Sequence, residues 1–413
     1  MARASKPLAI VLAIGVLAAC GSVQDSPGDS GPTRGPTSSN GSTSSNGPTA
    51  SVQPTPAASA VDVSPSPQPT VAAAGEGWVE VPPDPPGHLG SVSAVASNDM
   101  WAVGYAGGCL AQEGHCAPLA MHWDGTQWTG ITTPSPSGEV YLSAVDALSS
   151  TDAWAVGSYV DGNGARLTLI QHWDGSTWSQ IASPSPDPTW NQLNGVLVIG
   201  ASDAWAVGSA GDAALALHWD GQDWLRAELP DLGAKYASLE AVGATSGSDV
   251  WAVGTYHGCY DLILHWSGTS WSKDPFSEDS GGRCFDAHGE LDAVTVLSDA
   301  DAWAVGNTGC CGGNSPSIVH WNGEQWTSVP FEADFGGLDE LDDIVAISVD
   351  DVWAVGSTGD GFTDSKMLIM HWDGTAWSQM TSPTPLKWAS GVVGLSASDA
   401  WITGDVFLHW TGE

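Results

Sequence analysis

The chain has 413 residues, and its 47 acidic residues far outnumber its 10 lysines and arginines, so the formal net charge at pH 7 is −37. A chain this acidic repels phosphate backbones and anionic lipid surfaces, which argues against nucleic acid as a partner and against flat docking on a membrane. The excess of Asp and Glu favours solubility outside the cell and leaves cation binding open.

The first 19 residues have the pattern of a secretory signal peptide. Arg3 and Lys6 precede an apolar run over residues 8–19, which is too short to cross a bilayer. The run ends in Leu-Ala-Ala-Cys at Cys20, which resembles a bacterial lipobox and implies cleavage before Cys20 and lipidation of its thiol. We therefore expect signal peptide 1–19 and an extracytoplasmic chain that is held at the cell surface by its lipid anchor alone. The alternative is an ordinary signal peptide in which Cys20 has no role.

Residues 20–75 form the next segment, which begins with the lipidated Cys20 and consists mainly of Ser, Thr, Pro, Gly and Asn. Such a composition cannot bury enough apolar surface to offset the entropy of ordering, so we expect a disordered tether. As a flexible coil it would span roughly 40 Å, enough to hold a domain clear of a membrane or cell wall.

Internal repetition is the strongest pattern in the rest of the chain. One landmark is Asp-x-Trp-(Ala/Ile)-(Val/Thr)-Gly and the other is His-Trp, and each occurs seven times at spacings of about 50 residues. The landmark tryptophans are Trp101, Trp154, Trp205, Trp251, Trp303, Trp353 and Trp401. The landmark histidines are His122, His172, His218, His265, His320, His371 and His409. The period predicts an all-β fold, a seven-bladed β-propeller of four-stranded blades over residues 76–413.

The second repeat illustrates the four strands expected in each blade. Alternating and β-branched residues predict strand A over 142–148, strand B over 153–158, strand C over 167–173 and strand D over 177–183. Asp174-Gly175 between strands C and D is typical of a tight hairpin.

The two ends of the chain supply the halves of one blade. Six His-Trp landmarks are followed by a Gly-x-x-Trp step, whereas the chain ends at Glu413 before the seventh. Residues 75–82, which contain Trp78, are typical of a strand D that has no blade before it. We therefore predict that the amino-terminal strand completes blade seven, which leaves few sheet edges exposed.

The repeated tryptophans and histidines are interpreted as structural. The landmarks account for 21 of the 23 tryptophans, and we expect these to pack between blades. The repeated histidines lie one per blade and too far apart to share a metal ion. Each one ends strand C beside the Asp that begins strand B, so a cross-strand Asp–His hydrogen bond is expected to lock every blade.

The Trp-Ala-Val-Gly and His-Trp-Asp-Gly-x-x-Trp steps resemble those of bacterial propellers with Asp-box (sialidase-type) and kelch or galactose-oxidase-like repeats. The resemblance covers residues 76–413 and implies the fold rather than an activity. An Asp-box has a residue between its Asp and its Gly, whereas Asp124-Gly125 and the equivalent steps have none.

The enzymes of these families require residues that the chain does not offer in the same pattern. Sialidases hold a carboxylate with three central arginines, but the propeller region has only Arg166, Arg226 and Arg283, none at a strand A position. Galactose oxidase uses a copper site of two His, two Tyr and a Cys crosslink. The histidines outside the repeat show no such grouping; they are His88, His115, His257 and His288.

The loops of one face are the expected binding surface. In a propeller the B–C and D–A loops emerge on one face, and here they vary while the A–B and C–D hairpins are uniform and tight. Eleven residues before each landmark tryptophan, beside the central channel, four consecutive blades place Asn194, Glu240, Asp292 and Asp342. These oxygens could hold Ca²⁺, which takes about six to eight ligands; a solvated polar rim is the alternative that we favour.

Aromatic residues form a second candidate set on the same face. Tyr141, Trp190, Tyr236 and Trp388 lie just before or at the start of strands A. Aromatic side chains flanked by carboxylates suit sugar rings or a protein partner, and capping of the loops is the alternative interpretation.

Six cysteines remain after Cys20, and an exported protein is expected to oxidise them. Cys109 with Cys116 and Cys259 with Cys284 are expected to pair, because each pair lies in loops of the same face. The adjacent Cys310 and Cys311 form either a strained vicinal disulfide or two free thiols.

The combined pattern predicts a monomeric binding or scaffold module without a required cofactor, rather than an enzyme. Its partner would be an envelope protein or a glycan, bound through the B–C and D–A loops. The alternative is a carbohydrate-active enzyme, a glycoside hydrolase or lyase, that uses carboxylates such as Glu240 and Asp292 at the channel mouth.

Overall fold

The computed structural model describes residues 77–106, 117–136, 138–233, 235–257, 260–277, 289–308, 315–331, 339–359, 366–382, 388–404 and 406–412. These residues form seven four-stranded antiparallel sheets, and a single 3₁₀ turn at Pro275–Ser277 is their only helical element. No helix in these ranges is long and apolar enough to span a membrane. The all-β fold with seven four-stranded blades is confirmed.

The strands follow one another in chain order within each blade, and β1 (Trp78–Val81) precedes the first complete one. Blade one consists of β2 (His88–Ala96), β3 (Asp99–Ala106), β4 (Ala117–Trp123) and β5 (Trp128–Ile131). Blade two consists of β6 (Val140–Ser149), β7 (Asp152–Val160), β8 (Arg166–Trp173) and β9 (Trp178–Ile181). Blade three consists of β10 (Asn191–Gly200), β11 (Asp203–Ala210), β12 (Ala213–Trp219) and β13 (Trp224–Arg226).

The remaining blades repeat this order. Blade four consists of β14 (Ser238–Ser246), β15 (Asp249–Tyr256), β16 (Tyr260–Trp266) and β17 (Trp271–Lys273). Blade five consists of β18 (Gly289–Ser298), β19 (Asp301–Thr308), β20 (Ser315–Trp321) and β21 (Trp326–Ser328). Blade six consists of β22 (Glu340–Ser348), β23 (Asp351–Thr358), β24 (Lys366–Trp372) and β25 (Trp377–Met380). Blade seven contains β26 (Ala389–Ser396), β27 (Asp399–Gly404) and β28 (Phe407–Trp410).

Blade seven is completed by the amino-terminal strand, as predicted. β1 pairs antiparallel with β28, with Trp78 opposite Trp410, and the sheet order is β1-β28-β27-β26. The first strand of every blade contacts the first strand of the next blade, including β26 with β2, so these strands A surround the central axis. The ring is therefore closed by backbone pairing between the two ends of the chain.

In blade two the predicted limits of the innermost strand, A, and of the outermost strand, D, differ from the observed ones. Strand A, β6, is longer than predicted because it contains two β-bulges, each of which adds a residue without a partner on β7. Strand D, β9, is shorter and ends at Ile181, because the Thr168 N–H beyond it donates to the Ser185 hydroxyl instead of a backbone carbonyl. Side-chain hydrogen bonds thus replace the ladder where the prolines begin.

Five of the six C–D hairpins share one Asx-type turn, and blade four has Ser267 at the same position. In blade two, Oδ1 of Asp174 accepts hydrogen bonds from the N–H groups of Ser176 and Thr177 at 2.9 and 2.8 Å. These donors and the Ser176 hydroxyl hold the pKa of Asp174 at about 2. Gly175 has φ +90°, which is the conformation that a two-residue hairpin with glycine first requires.

Three tryptophans per blade form a continuous girdle between the blades. Each strand B tryptophan packs on the strand C tryptophan of the next blade at ring-centroid distances of 4.8–5.4 Å. It also meets the next blade's strand D tryptophan in a steep, mostly edge-to-face contact at 5.0–5.9 Å. The seven contacts of each kind close the circle, which confirms that these tryptophans pack between blades.

An Asp–His pair locks every blade, as predicted. The imidazole Nε2 lies 2.5–2.9 Å from the carboxylate of the Asp that begins strand B in all seven blades. The same imidazole packs on the strand B tryptophan at 4.0–4.6 Å. The strand C indole donates to a carbonyl of the A–B turn at 3.0–3.2 Å. Each His-Trp pair therefore ties the end of strand C to the A–B turn and to the first residue of strand B.

Closure of the ring can be tested by a double-mutant cycle on the composite blade. The Trp78 ring lies 5.5 Å from that of Trp410 and 5.4 Å from that of Trp353, so each truncation removes contacts shared with the other. We expect the free energies of unfolding of Trp78→Ala and Trp410→Ala to be coupled by roughly 0.5–3 kcal/mol in urea denaturation. The control pair is Trp190→Ala with Trp410→Ala, which should be additive because Trp190 lies outside the girdle. Additive losses for Trp78 and Trp410 would contradict a stabilising contact between the two rings in the composite blade.

Candidate functional site

The channel-mouth residues predicted from sequence occupy one structural position. In every blade the residue eleven before the landmark tryptophan is a β-bulge near the start of strand A, where the pairing register shifts. We call these the first-bulge residues: Gly90, Ser143, Asn194, Glu240, Asp292, Asp342 and Ser390. A bulge leaves the ladder and re-aims its side chain, so this position can vary without disturbing the sheet.

Asn194 and Glu240 are joined through one serine. The Asn194 amide donates to the Ser238 hydroxyl at 3.3 Å and to the Leu239 carbonyl at 3.0 Å, and Ser238 donates to Glu240 Oε1 at 2.7 Å. Gln192 donates to the Asn194 carbonyl oxygen at 2.6 Å. Polar side chains therefore link blade three to the adjacent blade four at the loop-face end of their strands A.

Asp292 and Asp342 are placed differently from the expected rim. Both belong to the first-bulge set, but they are 2% and 3% exposed, so they are buried rather than solvated. Among the described residues, no group of three or more His, Cys, Asp or Glu side chains is arranged to hold a metal ion. Calcium binding at this mouth therefore has no geometric support in the described ranges.

The structure brings Tyr141 and Trp190 together around a cation that the sequence interpretation did not assign to the site. The Arg166 guanidinium carbon lies 5.0 Å from the centre of the Tyr141 ring and 4.7 Å from that of Trp190. Its Nη1 donates to the Ser158 hydroxyl at 2.9 Å. Burial lowers the pKa of Arg166, and the tyrosine and Glu139 oppose that shift. We call Tyr141, Arg166 and Trp190 the aromatic–arginine cluster.

Acidic neighbours hold the cluster in position. Tyr141 donates to Glu139 at 3.1 Å, and burial together with this carboxylate raises the pKa of Tyr141. At Trp190, Asp187 Oδ1 accepts a hydrogen bond from the backbone N–H at 2.9 Å. This bond fixes the D–A loop that carries the Trp190 indole. The cluster is thus built from a strand A, a strand C and a loop, and it is half-exposed at the loop face.

The other predicted aromatic residues lie apart from this cluster. Tyr236 is 55% exposed, has φ +60°, and precedes β14. Trp388 is half-buried and precedes β26. Neither makes an aromatic contact within the part of the chain that the structure describes, whereas Tyr105 meets Tyr141 edge-to-face at 6.1 Å. The predicted aromatic set therefore divides, and only its blade-two members converge.

The one sequence signal that pointed to Arg166 was rarity. It is among the few basic residues of a strongly acidic chain, and it begins a strand C immediately after a B–C loop. Its partners come from positions 25 residues before it and 24 residues after it, which sequence spacing alone does not connect. All six predicted disulfide cysteines, and Cys20 with the signal peptide and tether, lie outside the described residues.

A second polar feature lies further down the channel at Asp146 on β6. Its Oδ1 accepts the Ser93 hydroxyl of blade one at 3.0 Å, and its Oδ2 accepts the Val198 N–H of blade three at 2.7 Å. The residue keeps partial exposure, but its carboxylate is enclosed by protein, and this burial raises the pKa of Asp146 against the effect of its hydrogen bonds. One carboxylate thereby bridges the inner strands of three blades.

Comparison with known proteins identifies the fold of the chain but not its family or its activity. No protein-family model and no curated protein sequence matches the chain. Among solved structures, YCF48 bound to D1 peptide is similar over 83% of this chain and 99% of its own, with 14% identity and a TM-score of 0.53. The WD40 propeller domain of Doa1 matches 79% of this chain and 95% of its own, with 12% identity and a TM-score of 0.53.

An enzyme also appears among the similar structures. The GH74 xyloglucanase from Xanthomonas campestris matches 79% of this chain and 52% of its own, with 14% identity and a TM-score of 0.52. At such identities these likenesses show a β-propeller and do not transfer an activity.

The Asp146 bridge predicts a specific pH dependence of stability. Because the folded-state pKa of Asp146 is raised, its contribution to the free energy of unfolding is largest below the unfolded-state pKa, about 3.9, and decreases as the pH rises through the raised value. We therefore expect the stability of Asp146→Asn relative to the wild type to increase between about pH 4 and about pH 8 in urea denaturation.

The matched control for that experiment is Asp373→Asn in a C–D hairpin. Hydrogen bonds within the turn lower the pKa of Asp373 to about 2, so its contribution is lost only as the pH falls toward that value. Its stability difference from the wild type should therefore stay constant between about pH 5 and about pH 8. Parallel stability profiles for Asp146→Asn and the wild type would contradict the raised pKa.

Proposed function

We propose that this chain is a lipid-anchored, extracytoplasmic binding module whose loop face holds a glycan or a protein partner. The loop face is the side of the ring where strands A begin, and it carries the first-bulge residues and the aromatic–arginine cluster. In this proposal the propeller is a rigid scaffold and not an enzyme, and the tether holds it at the cell surface.

The observation that carries the proposal is a contrast within the repeat. The girdle tryptophans and the Asp–His pairs recur in all seven blades, so they serve the architecture. The first-bulge position instead carries glycine, serine, asparagine, glutamate or aspartate in different blades. The partly exposed members, Gly90, Ser143, Asn194 and Glu240, differ from blade to blade on a fixed framework. Rigid scaffolds with variable connections are where binding residues concentrate.

The aromatic–arginine cluster supplies the chemistry for contact. Tyr and Arg are enriched where partners bind, since a large ring or a planar cation gains contact area at little entropic cost. Here the rings already hold the guanidinium in place, at 5.0 and 4.7 Å, so little ordering remains on binding. Indole and phenol faces beside Glu139 also suit the apolar faces and hydroxyl groups of a sugar ring.

The direction of β1 supports the proposed orientation. Strand D of each blade starts at the C–D hairpin, and β1 takes that place in blade seven, with Trp78 opposite Trp410. A tether joined to the start of β1 would reach the hairpin side of the ring, so the loop face would point away from the membrane. The similar propeller YCF48 was solved bound to a D1 peptide, which is consistent with a protein partner for a chain of this fold.

The proposal is tested by truncating the cluster. We expect Trp190→Ala to weaken binding by about 2 kcal/mol or more, roughly 30-fold, because buried aromatic anchors dominate interface energies. Arg166→Lys keeps the charge but loses the planar group between the rings, so it should also weaken binding. Binding would be measured on a glycan array and by pull-down from envelope extract, whose separate results distinguish the two classes of partner.

The control for this test is Leu225→Ala, which removes a 52%-exposed apolar side chain from outer strand β13. It should leave binding unchanged, and all variants should keep the wild-type melting temperature within a few degrees. A ligand that binds Trp190→Ala and Arg166→Lys as tightly as the wild type would remove the cluster from the binding site.

A further inference from the structure

Each inner strand contains a second β-bulge, at the opposite end of the channel. The pairing register shifts again six residues before every landmark tryptophan. We call these the second-bulge residues: Val95, Leu148, Ile199, Thr245, Leu297, Ile347 and Leu395. Because strands A surround the axis, the seven positions form a ring at the hairpin face, the side on which the A–B and C–D hairpins lie.

The two ends of the channel have opposite character. The first-bulge residues at the loop face are glycine or polar, whereas six of the seven second-bulge residues are aliphatic. The fold itself does not require this difference, because Thr245 occupies the position in blade four with the same register shift. The backbone conformation of the bulge therefore does not explain why the other six residues are aliphatic.

Packing between blades accounts for only part of this ring. Ile199, Ile347 and Leu395 pack against the core clusters between blades. Val95 and Leu148 do not belong to those clusters and remain 36% and 40% exposed. Single exposed aliphatic residues are common, but Val95 and Leu148 occupy equivalent positions on neighbouring strands A, so they form a pair of exposed apolar side chains at one edge of the opening.

The positive charges of the described residues are confined to one face of the propeller, whereas carboxylates occur on both. Every described lysine and arginine lies toward the loop face, at the loop end of a strand or within a D–A loop: Arg166, Arg226, Lys235, Lys273 and Lys366. Exposed carboxylates occupy the hairpins around the second-bulge ring: Asp124, Asp174, Asp220, Asp223, Asp299, Glu324, Asp350 and Asp373. Turn hydrogen bonds lower the pKa of Asp174 and of Asp373 to about 2, so these carboxylates are ionised at neutral pH. The hairpin face therefore carries exposed negative charge and, among the described residues, no lysine or arginine.

We propose that the second-bulge ring is a docking surface for a polypeptide segment of a partner protein, in which an apolar side chain is flanked by lysine or arginine. An apolar centre inside a polar rim is the usual anatomy of a protein interface. The acidic rim complements basic residues and opposes both anionic lipid and a second copy of this chain. This surface is separate from the loop face, so it adds a second site to the proposed binding module.

The test compares two synthetic peptides of equal length and charge, one of lysine and leucine and the other of lysine and serine, with the full chain. The wild type should bind the lysine–leucine peptide about tenfold more tightly or better, since tenfold corresponds to about 1.4 kcal/mol of apolar contact. The Val95→Thr, Leu148→Thr double variant introduces the residue found in blade four and should reduce the preference to about threefold or less. Leu225→Thr, a similarly exposed aliphatic residue on the outer strand, should keep it.

Equal affinity of the wild type for both peptides, or a preference that survives in the double variant, would overturn the proposal. Binding to phosphatidylcholine vesicles would also overturn it, if that binding depends on Val95 and Leu148 and is tighter than binding to the peptide. The same holds for self-association, measured by sedimentation, that depends on these two residues and is tighter than peptide binding. The single variants Val95→Thr and Leu148→Thr replace the double variant if its melting temperature falls. The loop-face variant Trp190→Ala should not alter the peptide preference, so the failure of either site is recognised separately.

Discussion

The fold depends on one set of contacts, the tryptophan girdle, and the girdle depends on the pairing of the two chain ends. Each strand B tryptophan needs the strand C and strand D tryptophans of the next blade. For Trp353 these are Trp410 and Trp78, which lie at opposite ends of the propeller sequence. Without β1, blade six would lose an edge-to-face contact and blade seven would expose a sheet edge. The pairing of β1 with β28 therefore completes both the tryptophan girdle and the backbone hydrogen bonding of blade seven.

The girdle and the Asp–His pairs allow the inner strands to carry irregularities. Each strand A contains two bulges, and a bulge costs ladder hydrogen bonds that a free-standing hairpin could not spare. Strand A is the inner edge of its sheet and pairs only with strand B, whose other partner, strand C, is fixed by a histidine and an indole. The bulges can therefore present side chains whose identity the sheet does not control, at both ends of the channel.

This division explains what could be predicted from the sequence. The number of blades, the composite blade and the Asp–His pairs follow from residues that recur at fixed spacing, so the pattern identifies them. Bulges have no such signal, because they are a mismatch of two residues against one that appears only when both strands are aligned. The aromatic–arginine cluster was half predicted: Tyr141 and Trp190 were named for their chemistry, but Arg166 joins them only through the folded D–A loop that Asp187 fixes.

The first-bulge position combines buried carboxylates with partly exposed polar side chains. Asp292 and Asp342 are almost completely buried, and enclosing a carboxylate costs free energy even when it has partners. The fold accepts uncharged residues at the same position, since blade three has Asn194 and blade seven has Ser390. Asp292 and Asp342 therefore lie within the wall of the channel, whereas Asn194 and Glu240, which are joined through Ser238, are partly exposed members of the first-bulge set.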